Sequence, residues 1–323
     1  IQAGSHLVDM AEYLGKQADA KAYNRTLLSL KAAYHRTYWD LSCRCYKSGS
    51  QTANLMPLIL NIPPSDLETK MAAKAFVENV EKAKNATNSG LVGASFVLQA
   101  LVSAGRGDIA LSMAMREDEP SWGYMVKKGP GTIWETWNDQ SNSHNHPMFT
   151  ASIGPYLYSI VGIDPSTWSI PSHWRRLRGN GTINLNKHVT MHVTPDVHAV
   201  QILKAAHGRI ETRCGPVKVA WKMEEKIFHM NATIPHNCGR ARLVLHVSDK
   251  LHHQHVLSFP LCVAEMSLGT NGTEISAQWN GRRTAIDVFV TGGTWAFALG
   301  PCSFLIERGF FPIDLPVAED YRH

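Results

Sequence analysis

The sequence predicts two unlike domains: helical hairpins of the α/α-toroid type over residues 1–165, then an antiparallel β-sandwich over residues 166–323. Three observations carry this. Up to about residue 163, apolar residues recur three and four apart, the period of one helix face. After Asp164-Pro165 they alternate, the period of a half-buried strand. No heptad is sustained in the first part, which argues against a coiled coil.

The chain opens at Ile1 inside a helical pattern. Tyr23, Leu27, Leu30 and Tyr34 then mark one helix face. Pro63-Pro64-Ser65 starts another helix, with capping-box spacing between Ser65 and Glu68 and an apolar stripe beginning at Leu67 and Met71. Val92, Phe96 and Ala100 make a third stripe, ending near Gly105. Phe149, Ile153, Leu157 and Ile160 make a fourth, after Pro147 and ending at Gly162. About seven helices fit before residue 163, joined by turn-rich segments at 40–50, 61–64 and 117–131. Beyond the 166–187 linker, Val189, Met191 and Val193 alternate, as do Val217, Val219 and Trp221. Further strand-like runs lie at 227–234, 241–247, 256–261, 274–279 and 285–290, and 312–323 reads as a tail.

Composition excludes several classes. Hydrophobic residues make up 44% and charged residues 18%, as in a soluble globular protein. No apolar run approaches the ~18 residues of a membrane span. The net charge of +5 is diffuse, and the clusters at 175–178 and Arg282-Arg283 are too short for a nucleic-acid arm. Neither a membrane nor a nucleic-acid partner is expected. The six cysteines (Cys43, Cys45, Cys214, Cys238, Cys262, Cys302) include no CxxC pair. Disulfides and buried thiols both fit them. Five N-x-S/T sequons, at Asn24, Asn85, Asn180, Asn231 and Asn271, point with the even cysteine count to a secretory route. A start with neither Met nor signal-peptide pattern suggests the C-terminal part of a longer protein.

The chemistry concentrates in residues 121–163. Glu135 stands between Trp134 and Trp137, and Asn145-His146 follows ten residues later. Sugars are held by apolar ring faces and a few placed polar groups, so an acid framed by indoles suggests carbohydrate chemistry. On spacing alone, the tryptophans also fit a core, the Glu a helix dipole and His146 a cap.

The motifs Pro120-Ser-Trp-Gly-Tyr-Met125, Trp134-Glu-x-Trp137 and Asn145-His146-Pro147-Met148-Phe149 together resemble the α-L-rhamnosidases of glycoside hydrolase family 78. Gln51-Thr52-Ala53 and Gly90-Leu91-Val92-Gly93 upstream, and Gly208–Thr212, Gly215–Trp221 and Ile234-Pro-x-Asn237 downstream, extend the resemblance over nearly the whole chain. It implies an (α/α)6 six-hairpin barrel followed by a β-sandwich, and hydrolysis of terminal α-L-rhamnosides with inversion. It also implies Glu135 as general base, Trp134 and Trp137 as an apolar wall, His146 in the sugar pocket and Asn145 beside it. Trp122 and Tyr124 fall at the pocket rim. No cofactor is required, because inversion runs on two carboxyl groups.

The family's general acid lies in an Asp-Gly…Asp-Arg segment. This sequence has none, so the acid is expected upstream of Ile1 and the barrel is expected to be partial. An acid hidden in Glu117-Asp118-Glu119 is a lesser alternative. Thr150 replaces a usual glycine, and Pro155 is expected to kink its helix. Two other classes remain: a non-catalytic rhamnoside-binding protein, and another (α/α)6 enzyme such as a lyase. His252-His253-Gln254-His255 reads as a polar loop rather than a metal site. No GxSxG, HExxH or GxGxxG context occurs. Aglycone, linkage, glycan occupancy, disulfide pairing and oligomeric state are not legible.

Overall fold

A computed structural model describes residues 1–163, 189–212, 215–224, 227–235, 240–246, 261–265, 276–279, 285–290, 293–301 and 312–313. The 166–187 linker, the histidines at 252–255, and Cys214, Cys238 and Cys302 lie outside the described residues. The chain divides into two compact units, Ile1–Tyr156 and Leu157–His323.

The first unit is helical. Its elements are α1 (Gln2–Tyr13), α2 (Gln17–Tyr38), β1 (Trp39–Asp40), β2 (Cys45–Tyr46), α3 (Gln51–Ile59), α4 (Asp66–Lys82), α5 (Leu91–Ala94), α6 (Val97–Ser103), α7 (Gly107–Ala114) and α8 (Trp122–Lys128). A 3₁₀ turn (Pro147–Ala151) and α9 (Ile153–Val161) follow, and the division falls within α9. α1 packs on α2, α3 on α4 and α6 on α7, giving the expected hairpins.

Several faces differ in detail. α2 buries Ala20 and Leu27 but leaves Tyr23 and Leu30 exposed. α4 buries Ala72, Phe76, Val77 and Val80, not Leu67. Leu67 stands nine residues before Phe76, which is half a turn round a 3.6-residue helix. The Ser65 cap is present: its Oγ accepts from the Glu68 N–H at 3.2 Å and donates to the Glu68 carboxylate at 2.6 Å. The Val92–Ala100 stripe is two short helices. Ser95 Oγ donates back to the Leu91 carbonyl at 2.9 Å, offering the backbone an alternative to a continuous helix. Gly105, at φ +74°, ends α6 as anticipated. Pro155, expected to kink its helix, is the third residue of α9. It sits in the first turn of α9, where amides lack intrahelical partners anyway. The 117–131 segment, expected to be loop, contains α8, whose cap is Ser121 Oγ accepting from the Tyr124 N–H at 3.0 Å. Cys43 and Cys45 form a disulfide at the β1–β2 turn.

The second unit contains β3 (Val189–Val193), α10 (Val197–Leu203), β4 (Ala205–Thr212), β5 (Gly215–Glu224), β6 (Ile227–Ile234), β7 (Arg240–His246), β8 (Leu261–Glu265), β9 (Ser276–Trp279), β10 (Ala285–Val290), β11 (Gly293–Pro301) and β12 (Pro312–Ile313). They make a four-stranded sheet, β3-β7-β10-β9, and a six-stranded sheet, β12-β8-β11-β6-β5-β4. The ladders are antiparallel except for β3 with β7, a parallel pair the alternation did not announce. Alternation places Val217, Val219, Trp221, Phe228, Met230, Trp295 and Phe297 on the buried face. The Trp221 indole N–H donates to the Ile160 carbonyl at 3.1 Å. Two residues of the expected tail form β12.

Of the described sequons, Asn24 is exposed on α2 and Asn231 is exposed on β6. Asn85 donates to Ser112 Oγ at 3.3 Å, and its sequon partner Thr87 is buried. Among the described residues no helix is long and apolar enough to cross a membrane, and no group of three or more His, Cys, Asp and Glu could hold a metal ion.

Replacing Ser65 with Ala removes the α4 cap and is expected to cost about 1 kcal/mol of stability. A urea denaturation midpoint equal to that of the parent would contradict the cap's contribution.

Candidate active site

Residues 132–146 form an irregular hairpin-like loop, not a helix start. The Glu135 N–H donates to the Ser143 carbonyl at 2.9 Å and to Ser141 Oγ at 3.1 Å. The His146 N–H donates to the Ile133 carbonyl at 2.7 Å, and Thr132 Oγ1 bonds the His144 carbonyl. These cross-links place the Trp-Glu-x-Trp and Asn-His motifs side by side. Short polar residues do this work because Ser and Thr hydroxyls satisfy loop amides that no ladder serves. The Glu135 carboxylate is half-buried and, among the described residues, accepts no hydrogen bond and makes no ion pair.

The aromatic residues divide by role. Trp134 is 1% exposed and stacks on His144, with ring centroids 4.6 Å apart. Tyr124 meets Trp134 edge-on at 5.9 Å. Gly129 packs so closely that an added Cβ would lie 2.8 Å from the Trp134 ring. Trp122 is also buried, and its indole N–H donates to the Phe149 carbonyl at 2.8 Å. Trp137 is half-buried. It lies 5.3 Å from Trp122 edge-to-face and 4.3 Å from Phe149, and its N–H donates to the Ser89 carbonyl at 2.8 Å. Trp122 and Trp134 therefore support the loop from beneath, while Trp137 and Tyr124 keep accessible surface. Asn145 is exposed. His146 is half-buried and flanks the 3₁₀ turn without a side-chain cap bond, so the cap reading of its ring does not apply.

The loop docks on a polar frame that the sequence reading left without roles. Gln51 is fully buried at the start of α3. Its amide donates to the Ala86 carbonyl at 2.9 Å and accepts from the Asn88 N–H at 3.0 Å. One residue further, Ser89 receives Trp137. Ser152 Oγ accepts from the Leu98 N–H at 3.1 Å and donates to Gln99 at 2.9 Å, capping α6 from a distant part of the chain. The Gln-Thr-Ala motif opening α3 was the available signal for Gln51; nothing local marks Ser152.

The nearby acids are mostly engaged. Glu117 pairs with Lys127 at 3.0 Å, and Asp118 pairs with Arg116. Desolvation, with the charges of Asp139 and Glu119 adding to it, raises the Tyr124 phenol above its ordinary value. Tyr124 thus stays a neutral donor and acceptor at neutral pH.

Comparison with known proteins adds to this geometry. The family model of the bacterial alpha-L-rhamnosidase six-hairpin glycosidase domain matches residues 1–161, and that of the bacterial alpha-L-rhamnosidase C-terminal domain matches residues 187–259. An alpha-L-rhamnosidase of Alteromonas sp. (strain LOR) is 26% identical over 236 residues, covering 69% of this chain and 23% of that protein. One of Streptomyces avermitilis is 25% identical over 258 residues, covering 76% and 23%. The chain thus spans 23% of the length of these curated relatives. Among solved structures, an alpha-L-rhamnosidase from Dictyoglumus thermophilum superposes with a TM-score of 0.71 at 23% identity, covering 91% of this chain and 30% of that one. The Streptomyces avermitilis enzyme complexed with L-rhamnose superposes with a TM-score of 0.65 at 21% identity, covering 90% and 25%. At these identities the structural likenesses establish the fold.

Gly129→Ala drives a Cβ into Trp134 and is expected to destabilise the protein by about 1–3 kcal/mol. Gln51→Leu leaves the Ala86 carbonyl and Asn88 N–H unsatisfied, at about 2–4 kcal/mol for the two groups. Chemical denaturation of both variants checks these values, and parent-like midpoints would refute the packing and the clamp respectively.

Proposed function

The chain belongs to the α-L-rhamnosidase family of six-hairpin glycosidases, and from that premise we propose that it serves the hydrolysis of terminal α-L-rhamnosides with inversion, Glu135 acting as general base. The observation that carries the reading is Glu135 itself. Its N–H is held by Ser141 and Ser143 while, among the described residues, its carboxylate accepts no hydrogen bond and makes no ion pair. A base must be held by its backbone yet keep its oxygens free to take a proton from water.

In an inverting reaction, one carboxylic acid protonates the glycosidic oxygen as that bond breaks. The opposing carboxylate removes a proton from the water that attacks the anomeric carbon from the other face. The two groups stand ~6.5–9.5 Å apart to admit that water. Trp137 offers an apolar edge suited to the methyl group of a 6-deoxy sugar, while Tyr124, His146 and Asn145 offer donors and acceptors for its hydroxyls. We assign the acid to a carboxylate outside these 323 residues. Glu117 and Asp118 are held in ion pairs, and no Asp-Gly…Asp-Arg segment occurs.

Assay of the chain against an aryl α-L-rhamnoside, beside Glu135→Gln, tests both parts. Loss of a general base is expected to lower turnover by about 100-fold or more. Turnover by the parent that the variant loses supports Glu135 as base and moves the acid inside the 323 residues. No turnover from a folded parent supports the half-site. Full turnover by Glu135→Gln removes Glu135 from the mechanism.

A further inference from the structure

The outward face of the six-stranded sheet carries one sequon whose surroundings differ from those of the other described ones. Asn231-Ala232-Thr233 lies in the middle of β6, an interior strand between β5 and β11. Alternation buries Ala232 and turns Asn231 and Thr233 outward. Asn231 is exposed, and among the described residues its side-chain amide makes no hydrogen bond.

Both cross-strand neighbours of Asn231 are alanines, Ala220 on β5 and Ala296 on β11. His207 stands beyond Ala220 in the same row. These short side chains leave two adjoining hollows of about 280 and 290 Å³, and Asn231, Ala220 and His207 line both. The charged groups beside them are paired with one another: Arg209 with Glu211, and Lys222 and His229 with Glu224. The Asn231 amide is thus left unpartnered, in mid-sheet, next to open space.

The other described sequons contrast with it. Asn85 donates to Ser112 Oγ at 3.3 Å, and its Thr87 is buried with the hydroxyl accepting from the Ser89 N–H at 3.2 Å. Asn24 is exposed, but it lies on α2 and lines neither hollow. A glycan is bulky and hydrophilic, so it has to be carried on the surface. Long neighbours on a sheet face would crowd its first ring, whereas two alanines leave that ring a seat.

We propose that Asn231 is an N-glycan acceptor, with the first N-acetylhexosamine lying in the hollows beside Ala220 and Ala296. The donor is a polyprenyl-diphosphate oligosaccharide. The Asn231 amide nitrogen bonds to the anomeric carbon of the sugar, and the bond from that carbon to the diphosphate oxygen breaks. The diphosphate leaves with the electron pair, and the amide nitrogen gives up one proton. The C–H face of the ring then meets the alanine methyls, while its hydroxyl and acetamido groups face His207 and Lys218 at the rim. The site does not rest on the hydrolytic reading, and its test involves no turnover.

The full chain is routed into the secretory pathway of a yeast and purified folded. Its peptides are freed of glycan by an amidase in heavy-oxygen water, which labels each asparagine that carried one. The label is expected at Asn231 in most molecules. A second sample, trimmed to a single sugar, is compared with Asn231→Gln by urea denaturation. Loss of the contacts in the seat is expected to lower the midpoint by about 0.2 M or more. Ala220→Leu fills the seat and should abolish that difference, and Ala296→Leu supplies the reading if Ala220→Leu does not fold. An unlabelled Asn231, equal midpoints for the single-sugar form and Asn231→Gln, or a difference that survives the leucine substitution would each overturn the proposal.

Discussion

The first unit depends on how residues 86–89 are held. This stretch links α4 to α5 and buries Ala86, Thr87 and Ser89 while Asn88 stays exposed, and each buried backbone amide and carbonyl needs a partner. Gln51 supplies both a donor and an acceptor from one side, at Ala86 and Asn88. Trp137 supplies a donor from the other, at Ser89. Each such bond contributes about 1 kcal/mol net, but leaving its partner buried and unpaired costs more. A largely buried link held at Ala86, Asn88 and Ser89 gives the Trp-Glu-x-Trp loop its base.

That mutual dependence explains why so many aromatic residues gather around one carboxylate. Trp122 and Trp134 are buried and hold the loop's shape. Trp122 also ties α8 to the Phe149 carbonyl at the 3₁₀ turn. Gly129 is required because the Trp134 ring occupies the space a side chain would need. Glu135 then projects from a backbone pinned by two serines. Positioning by surrounding packing is what a reaction sensitive to ångström displacements requires.

The second unit is organised differently. Its core follows from alternation, the buried face of β4, β5, β6 and β11 being apolar and the other largely polar. The same alternation that buries Trp221 and Phe228 turns Lys218, Asn231 and His207 outward into adjacent rows. The core and the outward constellation are thus two results of one register.

The sequence by itself determined the order of helices before strands, the cap at Ser65, the stop at Gly105, and strands such as 227–234 and 285–290, because these are set by local periodicity and short-range hydrogen bonding. It also displayed the motifs around Glu135 that mark the family. It did not determine which helix face is buried, as Leu67 and Leu30 show, nor the break between α5 and α6. It gave no sign of the parallel pairing of β3 with β7. Nor could it separate supporting from accessible indoles among Trp122, Trp134 and Trp137. Those were decided by tertiary structure, through partners distant in the chain: Ser152 capping α6, Ser89 receiving Trp137, Phe149 receiving Trp122. A local pattern records what a residue prefers, whereas burial and hydrogen-bond satisfaction depend on what the rest of the chain brings to it.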